Sequence, residues 1–468
     1  MENIYQKKFI SASISIILSL IIYNLPANEI FNQKILTTLA IATLIFSFWI
    51  TETLPIPITS LLPLILLPSF NLVNINEVSE NYSNKIIFLF LSGFILALAI
   101  SKWNLNKRIA LNILRLTGSS PKGILLGFMI STAIISMWIS NTATTIMMLP
   151  IALSIITIIK KQSKETDKFA KILLLAIAYS ASIGGIATII GTPPNAILIA
   201  YLNEALNYDF LFSEWFILFF PLSALLLIST WLYFIFFKLD KIKVKTRKEG
   251  NFIKEELIKL GKITYQEKIV CSIFLLVSLS WMFKTYFPFE ISDVAIGLIG
   301  SAALFIIPSK KENDFILNWN DCKEISWGTL LLFGGGLSLA SAMEQSGFVE
   351  IIGNYIKNFA NHKFIIIVFV TVLITMLFTE FMSNLALTAI LIPVLTVISM
   401  NITGSPLSLS LPATIAASTA FILPMSTPPN AIIFSSGYIK INDMIKTGIF
   451  ANIICLFLII IYTKLFII

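Results

Sequence analysis

The chain has 468 residues, of which 57% are hydrophobic and only 12% charged, with a mean hydropathy of +0.88. Soluble domains carry about 25% charged residues, so this composition excludes an ordinary soluble enzyme and fits a polytopic helical membrane protein. The net charge of +8 requires no nucleic-acid partner, because membrane proteins gather Lys and Arg in their cytoplasmic loops.

In chain order, Lys7 and Lys8 precede a first apolar span at 9–24. It reads as a retained helix rather than a signal peptide, since no small-x-small cleavage site follows. Further apolar spans lie near 35–54, 55–70, 84–101, 123–160, 169–202, 215–237, 266–284, 289–308, 327–346, 363–400, 409–437 and 446–467. A crossing needs about 20 residues. Spans 123–160 and 363–400 are too long for one crossing and short for two, so each reads as a re-entrant hairpin with its tip near the middle. Spans 169–202 and 409–437 are each broken by a Pro-Pro pair. Proline lacks the N–H that an unbroken helix uses, and it pushes the preceding residue out of helical geometry. Each of these two spans therefore predicts two half-helices joined by an unwound loop.

The interruptions recur in order. Ser140, Asn141 and Pro150 return 243 positions later as Ser383, Asn384 and Pro393. Thr192-Pro193-Pro194-Asn195 returns 235 positions later as Thr427-Pro428-Pro429-Asn430. Paired interruptions in corresponding halves point to the midplane site of a secondary transporter. With the two hairpins set aside, eleven crossings remain. If the N-terminus lies inside, 27 of the 33 Lys and Arg fall on the cytoplasmic side, in line with the positive-inside rule. This topology inverts the second repeat relative to the first, places the C-terminus outside, and makes 238–265 a charged cytoplasmic linker.

At a hairpin tip one helix ends and another begins. Orphan carbonyls of the ending helix suit a cation such as Na⁺, and orphan amides of the starting helix suit a carboxylate. Stretches 131–150, 184–198, 374–393 and 417–433 contain no Lys, Arg or His and one acid, Glu380. An anionic substrate there would be balanced by helix dipoles and co-bound cations. Glu380 reads equally as a hydrogen-bond anchor beside the tip or as a contributor to a cation site. Glu52 reads as a helix-end residue, Gly334-Gly335-Gly336 as close helix packing, and Asn401-Ile402-Thr403 as an incidental glycosylation sequon. Cys271, Cys322 and Cys455 have no metal-ligand spacing. The lone histidine, His362, falls in a loop between apolar spans, which excludes a Ser-His-Asp triad or a histidine metal centre within the membrane.

Ser-Asn-Thr at a hairpin tip and a Pro-Pro-Asn loop, both doubled, resemble the divalent anion/sodium symporter family of di- and tricarboxylate transporters, over about residues 35–468. The resemblance implies a homodimer embedded in lipid, in which a transport domain moves as an elevator against a scaffold. The implied division is scaffold helices with a cytoplasmic interfacial helix in 1–122, the first transport half in 123–214, the linker and second scaffold helices in 215–362, and the second transport half in 363–468. By the same resemblance, Ser136, Ser140, Asn141 and the backbone near Gly191 match one Na⁺ site. Thr379, the Met382 backbone, Asn384 and the Ser426 backbone match another. Ser140, Asn141, Thr142, Ser383, Asn384, Leu385, Thr427 and Pro428 match the substrate contacts. Leu385 stands where dicarboxylate members often carry threonine, which leaves C4-dicarboxylate and citrate both open. The implied function is a plasma-membrane symporter importing a small di- or tricarboxylate with two or more Na⁺. The alternatives are a Na⁺-independent dicarboxylate exchanger, or a transporter of citrate or another oxyanion from the same superfamily.

Overall fold

The computed structural model describes residues 2–118, 120–160, 166–239, 249–310, 314–348, 350–351 and 364–468. His362 and linker residues 240–248 lie outside them. The described residues are helical apart from loops and one isolated bridge between Pro308 and Phe315. Eight of their stretches are long and apolar enough to cross a membrane, and several shorter apolar helices accompany them.

Helices α1 (Glu2–Tyr23) and α2 (Gln33–Thr51) pack against each other. Glu52 ends α2 in the left-handed region, at φ 47°, as a helix-end residue should. The span expected at 55–70 is not one helix. Its prolines split it into α3 (Ile56–Thr59) and α4 (Leu62–Ser69), each with proline in its first turn, the one place where the missing N–H costs nothing. After α5 (Ile75–Asn81), α6 (Lys85–Lys102) leads into α7 (Leu105–Thr117), an amphipathic helix that precedes the first hairpin.

Each overlong span is two helices. The first is α8 (Pro121–Ser136) and α9 (Asn141–Lys160). The Pro-Pro span that follows is α10 (Thr166–Ile186), a short 3-10 turn at Ile189–Gly191, and α11 (Pro193–Leu206). Next come α12 (Phe212–Tyr233), α13 (Glu249–Leu260), α14 (Tyr265–Phe283), α15 (Asp293–Ile306) and α16 (Trp327–Gln345). The second overlong span is α17 (Phe364–Phe378) and α18 (Asn384–Thr403). Its Pro-Pro partner is α19 (Leu407–Ala417) and α20 (Pro428–Ser435), and α21 (Ile441–Phe466) closes the chain.

The packing follows burial. Helix α10 is 94% enclosed over its apolar window, whereas the window of α14 is only 22% enclosed, so α10 lies in the protein core and α14 presents most of its surface outward. Helix α10 reaches α8 through Gly184, where a Cβ would lie 2.3 Å from the Ala133 carbonyl oxygen. Gly335 of α16 meets the Ser60 backbone in the same way, at 2.5 Å. This is the close helix approach that small residues allow.

Helix α7 is fastened to the linker side by Arg108. Its guanidinium bonds both carboxylate oxygens of Glu267, at 2.7 and 3.0 Å, and the Gly261 carbonyl at 3.0 Å. Lys107 adds a 3.0 Å pair to Glu256 of α13. A forked Arg–carboxylate contact is among the stronger polar interactions. Glu267 is 3% exposed, so removing its partner strands a buried charge. Arg108→Leu is expected to cost about 3 kcal/mol, read as a lower Tm of the detergent-solubilised protein. Arg108→Lys should recover only part of the loss, because an ammonium lacks the planar fork.

Candidate functional site

The two tips are built alike. In the first, α8 stops at Ser136 and α9 starts at Asn141. Ser136 Oγ donates to Asn141 Oδ1 at 2.7 Å across the break. In the second, α17 stops at Phe378 and α18 starts at Asn384. Thr379 Oγ1 lies 2.8 Å from Asn384 Oδ1 and 2.7 Å from the Ala417 carbonyl oxygen. Ser140 and Ser383 occupy the cap positions of the outgoing arms. Ser140 Oγ accepts from the Ala143 amide at 3.3 Å, while Ser383 makes no side-chain cap. Thr142 and Leu385 follow in the first turns, half-buried. Amides in the first turn of a helix have no partner within that helix and favour an anion.

The unwound loops are also built alike. Asn195 Nδ2 donates to the carbonyls of Gly185 (3.1 Å) and Thr188 (2.8 Å). Asn430 Nδ2 donates to Ala420 (3.1 Å) and Leu423 (3.0 Å), which lie at the 235-residue offset. Trp215 Nε1 holds the Ile186 carbonyl at 3.0 Å, and Tyr179 Oη holds the corresponding Phe421 carbonyl at 2.9 Å. The asparagine of each Pro-Pro-Asn motif is thus the tie that keeps its loop open.

Tip and loop converge in the first repeat. A Cβ built on Gly185 would lie 2.8 Å from Asn141 Oδ1 and 3.0 Å from the Gly191 carbonyl oxygen. Two uncharged oxygens therefore flank a gap that exists because residue 185 has no side chain. Ser136 stands on the other side of Asn141. In the second repeat Thr379, Asn384 and the loop at 417–426 are brought together by the Thr379–Ala417 contact. Ser426 Oγ donates to Glu380 Oε2 at 2.6 Å and lies 2.8 Å from the Leu423 carbonyl oxygen. Met382 is buried, and its amide closes the turn onto Phe378. Thr427 caps α20 and accepts from the Asn430 amide at 3.3 Å, and Pro428 is exposed at the first turn of that helix.

The repeats interlock. Helix α9 packs on α20, and α11 packs on α18. Each outgoing arm therefore lies against the second half-helix of the other repeat. At the first tip, Trp138 stacks near Phe212 (5.9 Å) and meets Phe274 of α14 edge-on at 4.9 Å. A cavity of about 890 Å³ lies elsewhere, between Lys85, Asp209 and residues 284–294, and no residue named for the site lines it.

A family model for the sodium:sulfate symporter transmembrane region matches residues 6–468. The chain belongs to this family. It is a multi-pass membrane transporter and not an enzyme, and the resemblance to divalent anion/sodium symporters holds. Among its relatives is the sodium-dependent dicarboxylate transporter SdcS of Staphylococcus saprophyticus, 40% identical over 446 residues, or 92% of this chain and 85% of that one. SdcS of Staphylococcus aureus (strain USA300) is 41% identical over 439 residues, or 90% and 84%. The crystal structure of the Alcanivorax borkumensis YdaH transporter shares the fold with a TM-score of 0.54 at 12% identity, over 83% of this chain and 87% of that one.

Sequence reasoning missed Gly185, Tyr179, Trp215 and Asn452, whose Nδ2 donates to Glu380 Oε1 at 2.9 Å from α21. The Gly184-Gly185 doublet beside the first loop was a legible signal for close approach. The other three act from helices far away in sequence, and no local pattern marks them. Asn195→Ala would leave the Gly185 and Thr188 carbonyls without their side-chain donor inside the protein. It should destabilise by about 2 kcal/mol, seen as a lower Tm in detergent.

Proposed function

We propose that the chain is a sodium-coupled importer of a C4-dicarboxylate such as succinate, malate or fumarate. The observation that carries this reading is the pair of equivalent tip-and-loop assemblies, offering uncharged oxygens and helix N-termini in a region without a basic side chain. The curated relatives, named as sodium-dependent dicarboxylate transporters, support it.

In this reading Ser136, Ser140, Asn141 and the Gly191 carbonyl hold one Na⁺. Thr379, Asn384 and the backbone at Met382 and Ser426 hold a second. The substrate carboxylates meet the first turns at Ser140-Asn141-Thr142 and Ser383-Asn384-Leu385, with Thr427 and Pro428 beside them. Two cations neutralise a dianion, so the loaded site crosses the apolar slab without the cost of a bare charge. The binding elements (123–214 and 363–468) move as one unit against the scaffold of 1–122 and 215–362, in a homodimer of the plasma membrane. The N-terminus lies inside and the C-terminus outside, as the placement of Lys and Arg supports.

Uptake of succinate and of citrate into proteoliposomes tests the whole reading, with an inward Na⁺ gradient set against an equal K⁺ gradient and no substrate inside. Succinate should accumulate only with Na⁺. Uptake that ignores Na⁺ and requires internal substrate would make the chain an exchanger. Preference for citrate would assign the Leu385 position to a tricarboxylate site. Asn141→Ala and Asn384→Ala should each weaken Na⁺ and substrate binding together, because each residue borders both ligands. Unchanged affinities in both variants would remove these residues from the site.

Gly185→Ala places a methyl group between Asn141 Oδ1 and the Gly191 carbonyl. The half-saturating Na⁺ concentration should rise ~tenfold or more, about 1.4 kcal/mol. The readout is the Na⁺ dependence of initial uptake rate.

A further inference from the structure

The two assemblies differ in formal charge at one buried position. Glu380, 2% exposed, follows Thr379 at the second tip. Its Oε1 accepts from the amides of Phe421 (2.9 Å) and Ile422 (3.1 Å) and from Asn452 Nδ2 (2.9 Å). Its Oε2 accepts from the amides of Ile422 (3.0 Å) and Leu423 (3.1 Å) and from Ser426 Oγ (2.6 Å). Both oxygens are thus occupied by donors, the pattern an ionised carboxylate requires. Every one of those donors is neutral.

In the first repeat the corresponding residue is Met137, whose backbone carbonyl accepts from Thr188 Oγ1. That tie also joins tip to loop, Thr188 being the counterpart of Leu423. A neutral pair therefore suffices to fasten a loop to a tip. The second repeat fastens its loop with a carboxylate, although burying a charge without a cationic partner is costly. The charge is accounted for if a cation sits beside it. Glu380 adjoins Thr379 and bonds the Ser426 side chain, so it borders two residues of the second cage. Peptide groups whose N–H points at Glu380 turn their C=O the opposite way. Of those carbonyls, Ala420 and Phe421 are held by Asn430 and Tyr179.

We propose that Glu380 is the positioning residue of the second cation cage, and that its charge makes this cage bind Na⁺ more tightly than the first. The inference rests on the sodium-coupled reading above. The two cages are therefore unequal. The first is neutral and relies on the Gly185 gap. The second, with Ala420 in the place of Gly185, is supported by a fixed negative charge.

The test uses the full-length protein in detergent, without substrate, and reads the rise in Tm as Na⁺ replaces K⁺ at constant ionic strength. A ligand that binds the folded state stabilises it according to its affinity, so the readout does not depend on transport. Glu380→Gln, which keeps the shape and removes the charge, should raise the half-saturating Na⁺ ~tenfold, about 1.4 kcal/mol. Asn452→Leu removes one donor and keeps the charge. It should lower the starting Tm yet leave the half-saturating Na⁺ within about threefold of the parent. The same split should appear in proteoliposomes, with the succinate KM of Glu380→Gln at saturating Na⁺ nearly unchanged.

A Glu380→Gln variant with the parent's Na⁺ dependence and only a lower Tm would overturn the proposal and leave Glu380 a structural anchor. If Glu380→Gln does not fold, Glu380→Asp decides. It retains the charge on a shorter arm, and a Na⁺ half-saturation within about threefold of the parent supports the charge, whereas a larger loss overturns it. A parent protein whose Tm and uptake ignore Na⁺ would instead sink the sodium-coupled reading itself.

Discussion

The rest of the structure depends on one constraint: backbone polar groups released where a helix breaks in an apolar interior must find partners inside the protein. Four helical elements are interrupted here, and their freed groups are met by a small set of long-range donors and acceptors. Asn195 and Asn430 each hold two carbonyls across their own loops. Trp215 and Tyr179 hold one more apiece from neighbouring helices. At the tips, the first-turn amides of α9 and α18 have no partner within their own helices. A site for charged ligands can thus be made from backbone and neutral side chains, provided that a rigid shell takes care of everything around it.

Pseudo-symmetry extends this economy without copying it. Each asparagine tie has its counterpart at the 235-residue offset, and each tip bond from Ser136 or Thr379 has its counterpart at 243. The departures are chemical rather than topological. Gly185 becomes Ala420, Met137 becomes Glu380, and Trp215 of α12 is answered by Tyr179 of α10. A duplicated architecture keeps its backbone geometry because the hydrogen-bond accounting is strict. Its side chains can diverge wherever a different group satisfies the same backbone atom.

Away from the site, charge behaves as it does at a membrane boundary. Arg108, Lys107, Glu256 and Glu267 gather where α7 meets α13 and the start of α14. They fix an amphipathic helix against the charged linker, at the end of α6 and just before the first hairpin. The outgoing arms pack on the opposite repeat's half-helices, α9 on α20 and α18 on α11, which brings the two tip-and-loop assemblies into contact.

The sequence by itself determined the helical membrane class, the doubled architecture and the location of all four breaks. Hydrophobic length, Pro-Pro pairs and repeat offsets are local properties, and local chemistry decides where a helix can run. It also marked Ser140, Asn141, Ser383 and Asn384 as tip residues. It overestimated the 55–70 span, because hydropathy does not register how prolines at 57 and 63, each in a first helical turn, divide the run into two short helices. Tertiary structure alone decided which atoms face one another: that Gly185 leaves a gap between Asn141 and Gly191, that Tyr179 reaches Phe421 across 242 residues, and that Glu380 binds three successive amides of a distant loop. Those contacts join segments with no shared local pattern, and only the packed chain brings them within hydrogen-bond distance.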